Sequence, residues 1–436
     1  MKKKIVAIDL FCGIGGLTHG LQKSGIKVVA GFDSDASCKY AFETNNKSTF
    51  IEKDVSKMTG KELKKLYPKG AIKVLVGCAP CQTFSKHTLK NKNREKDERW
   101  GLLYHFLRLI KETRPDYISM ENVPQLSKYD VFTDFVEGLK KEKYFICYKN
   151  VNCLKYGIPQ GRNRLVLLAS KKRQIGLIPE THSSKEYMSL KDAIGHLPRI
   201  KDGAVHETDK LHRTWKLSDI NKKRIKQSKQ GGSWLDWDED LRLDCHKKKR
   251  GSTYKAVYGR MKWSNPAPTI TTQFYSYGTG RFGHPTQNRA ISLREGALLQ
   301  TFPEDYKFFE KEENVYFTEI GRHIGNGVPV KLGVIIGRSI KAHSEYPQHK
   351  GWHRDVLKRD NFKCTICNRN ANLHVHHIKS WKDYPDLRFD INNGLTLCLS
   401  CHWKVHNKTI KLTQRKLGRL LKVTQTLITD RKQANG

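Results

Sequence analysis

The sequence predicts an α/β protein built on a parallel sheet, followed by a smaller unit rich in cysteine and histidine. Two observations carry this prediction. The first third of the chain alternates short apolar runs with amphipathic stretches, and two Cys-x-x-Cys pairs fall close together near the C-terminal end. A chain of 436 residues is also longer than one ordinary core needs, so two or three domains are expected.

Five short apolar or β-branched runs, each bounded by Gly, Asp or Pro, predict the strands of the sheet. They cover residues 5–10, 28–31, 73–77, 117–120 and 165–169. Between the third and fourth runs, apolar residues from 102 to 110 recur at helical spacing. Strands that alternate with helices form buried parallel sheets, in which the carboxyl ends of the strands share one edge.

The rest of the chain divides by composition. From 171 to 262 the periodic pattern degrades into a Lys-rich stretch with scattered Trp, His and Gly, which indicates an inserted, less regular domain. Ordered character returns over 263–343. We therefore divide the chain into 1–170, the insertion 171–262, the return 263–343, a polar linker 344–350, a compact Cys/His unit 351–407 and a basic tail 408–436.

Charge indicates the class of partner. Lys and Arg number 81 against 43 acidic residues, a formal net charge of +38. An excess of this size favours a polyanion, because neutralised phosphates release condensed counterions. A solvated basic surface and attraction to anionic lipid are the alternatives. Aromatic residues such as Trp215 and Tyr254 lie among the basic ones, which suits nucleic acid better.

The N-terminus and the cysteines bear on location. Asp9 interrupts the first apolar stretch, and no uninterrupted apolar run approaches the roughly 20 residues of a membrane span, so a cytoplasmic protein is expected. The 11 cysteines are odd in number and lack a secretory context, so a disulfide framework is not expected. Clustered cysteines are then interpreted as metal ligands or nucleophiles.

A cofactor site is predicted where the first strand ends. The sequence FCGIGG follows at 11–16, and glycines at such a turn let the backbone approach a ligand closely. Asp33 closes the next strand, at the right distance to bind a ribose hydroxyl. Taken alone, this pattern fits a nicotinamide dinucleotide as well, although the GxGxxG spacing is absent.

Two further strand ends carry reactive side chains. Cys81 follows the strand at 73–77 and Glu121 ends the strand at 117–120, which places a thiol and a carboxylate at one sheet edge. From its own segment alone, Cys81 fits a redox pair with Cys78, a packed cysteine or a nucleophile. A neighbouring carboxylate favours the nucleophile, with Glu121 as a candidate acid.

In order along the chain, the motifs DLFCGIGG, PCQ with FS, ENV, QGRNR, REGALLQTFP and IGNGVP resemble those of the DNA cytosine-C5 methyltransferase family over residues 1–343. The resemblance implies a Rossmann-like sheet that binds S-adenosylmethionine, with 171–262 as an inserted target-recognition domain. It implies that Cys81 attacks C6 of a flipped cytosine and that Glu121 holds or protonates N3. Arg162 and Arg164 would steady the base.

The same resemblance implies the cofactor contacts, by position. Phe11, Gly13, Gly15 and Gly16 would surround the methionine part, Asp33 the ribose and Asp54 the adenine, with Asn326 packing nearby. Ser34 departs from the aromatic residue common in the family, which leaves adenine stacking open at that position. Cys78 is expected to be incidental to the chemistry.

In the C-terminal unit, Cys364, Cys367, Cys398 and Cys401 have the spacing of a structural zinc site. With the neighbouring histidines, the segment resembles an HNH nuclease of the ββα-metal type over 351–407. The resemblance implies His377 as general base and Asn393 as the residue that fixes its loop. It also implies a catalytic Mg²⁺ or Mn²⁺ held by His376, His402 and His406.

Together these patterns predict a bifunctional enzyme acting on double-stranded DNA, in a restriction-modification role. We expect a cytoplasmic, nucleoid-associated protein with no membrane contact and no obligate protein partner. Two alternatives stay open. The C-terminal unit fits a zinc-stabilised DNA clamp without catalysis, and the whole chain fits a regulator that binds DNA without turnover.

Overall fold

The computed structural model describes residues 3–80, 101–248, 251–312, 315–345, 348–381 and 390–407, with 384, 387, 409, 410 and 412. The chain forms two compact units, Met1–Ile340 and Lys341–Gly436. No helix among these residues is long and apolar enough to cross a membrane.

The first unit is organised around a seven-stranded sheet in the order β3-β2-β1-β4-β5-β8-β6. The strands along this part of the chain are β1 (Ile5–Leu10), β2 (Lys27–Asp33), β3 (Thr49–Glu52), β4 (Ile72–Gly77), β5 (Tyr117–Asn122), β6 (Phe145–Asn152), β7 (Gln160–Gly161) and β8 (Asn163–Ser170). The short β7 lies outside this sheet and pairs with β9 (Ala267–Pro268). All five predicted strands are present, and the α/β fold class is confirmed.

Helices follow the strands as the alternating pattern predicts. In the first half they are α1 (Gly16–Lys23), α2 (Lys39–Asn45), α3 (Gly60–Leu66), α4 (Gly101–Thr113) and α5 (Asp130–Lys141). The apolar stripe of α4 is buried at Phe106, Leu109 and Ile110, where it packs into the core beneath the sheet. This packing covers one face of the central strands.

The sheet departs from the parallel arrangement at one side. Strand β8 pairs antiparallel with both β5 and β6. Only the short segment 153–162 connects β6 to β8, and it holds a 3₁₀ turn at Cys153–Tyr156. A parallel pair needs a crossover of a dozen or more residues, so this connection reverses the chain instead.

The remainder of the unit completes the core. Its helices are α6 (Leu190–Ile194), α7 (Asp219–Gln227), α8 (Asp244–Lys247), α9 (Leu293–Leu299), α10 (Phe317–Asn326) and α11 (Val330–Glu345). Within the predicted insertion, Leu190, Leu211 and Met261 join the core of α9 and α10. A separate small core contains Trp234 and Trp237 together with Tyr277, so it draws on residues beyond 262.

The second unit contains a β-hairpin flanked by helices: α12 (Gln348–Arg359), β10 (Leu373–His377), β11 (Gly394–Cys398) and α13 (Leu399–His406). Val356 and Trp352 on α12 are buried, as are Leu395 and Leu397 on β11. Asp360 accepts a hydrogen bond from the Thr396 amide (2.9 Å). This contact fixes the end of α12 to the hairpin.

Candidate active sites

A glycine-rich turn opens the first site between β1 and α1. The Gly13 amide donates to Oδ2 of Asp33 (2.8 Å), which ties the turn to the end of β2. Gly15 has a φ of +87°, a left-handed conformation that favours glycine. A Cβ on Gly16 would lie 2.4 Å from the carbonyl oxygen of Val328, so the bare backbone lets the distant C-terminal segment approach.

These segments enclose a cavity of about 290 Å³. Five of the seven predicted cofactor residues line it, namely Phe11, Gly13, Gly16, Asp33 and Asn326. Gly15 shapes the turn without lining the cavity. Asp54 is also absent from the lining among the described residues, and instead caps a short 3₁₀ helix by accepting from the Ser56 amide (2.8 Å). Its proposed adenine contact stays a prediction.

The structure adds Asp9, which the sequence argument did not assign to the site. Asp9 lines the cavity and is buried, and the hydroxyl of Thr18 donates to Oδ2 (2.7 Å). Oδ1 has no hydrogen-bond partner among the described residues. Burial raises the pKa of Asp9 to about 7. The sequence does hold a signal for Asp9, because it is an acidic residue inside an apolar strand. Burying such a carboxylate costs free energy unless it has a partner.

Asp35, Cys38 and His323 form a second cluster in the cavity wall, with ligand atoms within 4.8 Å of one another. These residue types suit a transition metal. However, the Arg322 guanidinium lies 2.8 Å from Oδ2 of Asp35, and its positive charge opposes a cation there. We therefore interpret the cluster as a polar contact between the 35–38 turn and α10.

The second feature beside the cavity is the buried carboxylate of Glu121 at the end of β5. Its side chain is 3% exposed. The Cys78 thiol donates to Oε2 (2.7 Å), and Nε of Arg164 lies 2.9 Å from Oε1. The Arg164 contact is a close ion pair, but its geometry is not that of an aligned hydrogen bond. The predicted nucleophile, Cys81, lies outside the described residues.

The two arginines of the QGRNR motif have different surroundings. Arg164 contacts Glu121, as described above. Arg162 is buried, and its guanidinium donates to the carbonyls of Ile270 (2.9 Å) and Gly327 (3.4 Å). The structure therefore brings Arg164 to the carboxylate, whereas Arg162 braces the return segments of the chain.

In the second unit, the four cysteines converge. The ligand atoms of Cys364, Cys367, Cys398 and Cys401 lie within 4.8 Å of one another, and the sulfurs of Cys367 and Cys398 are 3.6 Å apart. Tetrahedral Zn²⁺ with Zn–S bonds of about 2.3 Å needs sulfurs roughly 3.8 Å apart. The cluster is therefore compatible with structural zinc.

A histidine cluster lies in the same unit. The ligand nitrogens of His376 on β10 and of His402 and His406 on α13 lie within 4.8 Å of one another. Burial, reinforced by the neighbouring histidines, lowers the pKa of His376 to about 4. The neutral imidazole that results is the metal-binding form. These three residues could hold a metal ion, although imidazole nitrogens suit a transition metal such as Zn²⁺ better than Mg²⁺, which prefers oxygen ligands. The Mg²⁺ or Mn²⁺ expected from the sequence stays a prediction.

His377 follows on the same strand. Its ring stacks on Trp352 (centroids 4.2 Å apart, interplanar angle 16°), and Trp381 packs edge-on against it at 5.3 Å. The Asn393 side chain holds the next turn. It accepts from the Lys379 amide (2.7 Å) and donates to the carbonyls of Lys379 (3.1 Å) and Leu387 (2.9 Å). Asn393 thus fixes the chain directly after the histidine pair.

Fold and site together define a class of protein. Residues 5–342 match the model of the C-5 cytosine-specific DNA methylase family, and residues 364–408 match that of the HNH endonuclease family. The chain belongs to the C-5 cytosine-specific DNA methylases and carries an HNH domain. DNA is therefore its substrate class, and S-adenosylmethionine is the methyl donor expected of such an enzyme.

Individual relatives cover the methylase part. The type II methylase M.HgiDII of Herpetosiphon aurantiacus is 52% identical over 341 residues, covering 78% of this chain and 95% of that protein. The type II methyltransferase M1.BsuMI of Bacillus subtilis is 33% identical, covering 75% and 78%. The structure of Dnmt2 from S. pombe covers 78% of this chain and 99% of its own (TM-score 0.55, 16% identity), which supports the fold.

Proposed function

We propose that the chain both modifies and cleaves DNA. Its first unit transfers a methyl group to C5 of cytosine in a specific double-stranded sequence, and its HNH domain hydrolyses phosphodiesters, in a restriction-modification role. The single observation that carries the first activity is the buried Glu121 carboxylate beside Arg164 at the sheet edge that borders the cavity. Type II relatives support the biological role.

Carbon 5 of cytosine is a poor nucleophile, and the proposed chemistry raises its electron density so that it can accept a methyl group. The Cys81 thiolate attacks C6 of a flipped base, forming an S–C6 bond and moving an electron pair toward C5. Glu121, as the protonated carboxylic acid, donates its proton to N3 and so draws electrons from the ring. Arg164 holds the carboxylate and steadies the charge that develops on the base. Once C5 carries the methyl group, a solvent water takes the C5 proton and the freed electron pair expels Cys81 as its thiolate. N3 returns its proton to Glu121, and the aromatic ring is restored.

The cofactor supplies an electrophilic methyl group. Phe11, Gly13 and Gly16 would hold its methionine part, and Asp33 its ribose, with Asn326 closing the cavity. The free oxygen of Asp9 offers a partner to a cationic group in the same cavity. The lining fits a ligand that carries both hydroxyls and positive charge.

Bisulfite sequencing of DNA from cells that express the protein tests the first activity and reads its target together. We expect protected cytosines at one recurring sequence, and none in cells that express Glu121→Gln. DNA without a protected sequence would contradict the proposed methyl transfer.

The nuclease is tested against the clamp alternative. Cleavage needs a base near a metal-bound phosphate, whereas a clamp needs only folded structure and basic side chains. With Mg²⁺ or Mn²⁺ we expect the wild type to nick or cut unmethylated DNA, and EDTA to stop it. His377→Ala should lose cutting while it keeps DNA binding and methyl transfer.

Cutting that survives in His377→Ala would remove the assigned base. If the wild type cuts neither methylated nor unmethylated DNA, the clamp is the better description. The variant keeps all four cysteines, so the zinc site serves as an internal control for folding.

A further inference from the structure

The thiol of Cys78 lies against the carboxylate to which the proposed function gives the central role. Strands β4 and β5 are parallel and pair Gly77 with Met120. Cys78, the first residue after β4, therefore lies beside Glu121, the last residue but one of β5. The thiol reaches Oε2 at 2.7 Å. From the sequence alone this cysteine is expected to be incidental, because strand register is not visible in the sequence.

The surrounding backbone keeps the two residues together. The Asn122 side chain donates to the carbonyl of Ala79 (3.0 Å), which ties the loop after Cys78 to the end of β5. Both strands are buried at this point. The contact between thiol and carboxylate is therefore built into the loop geometry rather than left to a mobile side chain.

A buried carboxylate needs a partner for each oxygen. Arg164 faces Oε1 of Glu121, and Cys78 faces Oε2. A thiol is a weak donor, so the bond it makes can be exchanged for a stronger one at little cost. A serine hydroxyl would donate in the same place, whereas an alanine side chain would donate nothing.

We infer that Cys78 is a positioning residue for methyl transfer. Its S–H holds Glu121 in one orientation and occupies Oε2 until that oxygen, once protonated, donates to N3 of the target cytosine. The inference rests on the proposed role of Glu121. If Cys78 only filled space, a side chain without a hydrogen-bond donor could replace it without slowing methyl transfer.

Steady-state methyl transfer by the full chain tests the inference with Cys78→Ala, Cys78→Ser and Cys147→Ala. One lost hydrogen bond corresponds to about a five- to tenfold rate change. We expect that fall in kcat for Cys78→Ala, with the KM for S-adenosylmethionine unchanged, and recovery of most of the rate in Cys78→Ser. Cys147→Ala removes a thiol from β6, away from the site, and should match the wild type.

Two results would overturn the inference: a wild-type kcat in Cys78→Ala, or a Cys78→Ser variant no faster than Cys78→Ala. A change confined to the cofactor KM would also overturn it, because Cys78 would then act only as cavity wall. The variant Glu121→Gln distinguishes failure of the inference about Cys78 from failure of the proposed role of Glu121. If that variant is inactive while Cys78→Ala is normal, only the inference fails; if it is fully active, the role of Glu121 fails as well.

Discussion

The two units of the chain hold their reactive groups in different ways. In the methylase unit, Asp9 and Asn326 line one cavity although they lie at opposite ends of the unit, and large apolar clusters around the sheet bring them together. In the HNH unit, the cysteine and histidine clusters lie between residues 364 and 406, on one hairpin, one helix and the loop that precedes the hairpin. The first site depends on topology, and the second on local spacing.

Their sources of stability differ accordingly. The core of the HNH unit is small, and among the described residues three of the five buried members of its main apolar cluster are cysteines of the metal cluster. Large apolar side chains remain exposed there, among them Trp403 (63%) and Leu399 (56%). Small domains with so little core need a metal to fold. The methylase unit instead contains three large apolar clusters.

The largest loss of stability is expected from a substitution in the cysteine cluster of the HNH unit. Cys367→Ala removes one of four thiolates and should unfold the HNH unit, because structural zinc supplies most of the folding free energy of such domains. Methyl transfer should stay near the wild-type rate. Limited proteolysis and metal analysis of the full chain check both points.

Wild-type protein that holds no zinc after expression in zinc-supplemented medium would contradict the cluster assignment. The matched control is Cys245→Ala, which removes an exposed thiol outside the cluster and should change neither zinc content nor proteolysis.

A smaller effect is expected at the buried ion pair of the methylase unit. Nη1 and Nη2 of Arg289 donate to Glu295 at 2.8 and 2.7 Å, and both side chains are 1% exposed. Burial alone would raise the pKa of Glu295, but Arg289 outweighs it and lowers that pKa to about 2. Removing one partner of such a pair costs about 3–5 kcal/mol.

Arg289→Met should therefore lower the melting temperature of the methylase unit by several degrees. Lys222→Met breaks the exposed pair with Asp219 and is the matched control, with an expected change below about 1 kcal/mol. Equal destabilisation by the two variants would contradict the role given to burial. Differential scanning calorimetry measures both.

The smallest effect concerns Asp9 and depends on pH. Because burial raises its folded pKa to about 7 from 3.8, ionisation of Asp9 disfavours the folded state. Its contribution to stability is full below pH 3.8 and is lost as pH rises through about 7. Asp9→Asn should remove this loss, so its stability relative to the wild type should rise between pH 5 and pH 8.

Thermal unfolding without cofactor at the two pH values checks the sign, and Asp244→Asn, an exposed acid, is the control. A stability difference between Asp9→Asn and the wild type that does not change with pH would refute the assignment. The same variant should bind S-adenosylmethionine more weakly, since the proposed partner for a cationic group is lost.

The sequence predicts well what is local. The strands at 5–10 and 73–77 follow from apolar runs, and the cysteine cluster follows from spacing. It misses β6, because an edge strand with exposed Lys149 lacks a continuous apolar run. It also misses the contact of Cys78 with Glu121, which depends on the register of β4 and β5. The predicted catalytic roles stay predictions.

In the proposed mechanism, methyl transfer proceeds through a covalent bond between Cys81 and the target cytosine. Transfer of labelled methyl groups to DNA by Cys81→Ser and Cys78→Ser tests it most directly. A serine hydroxyl is almost entirely protonated at neutral pH and cannot replace a thiolate. We expect no transfer by Cys81→Ser, with cofactor binding largely intact, and substantial transfer by Cys78→Ser. Equal loss in both variants would contradict it.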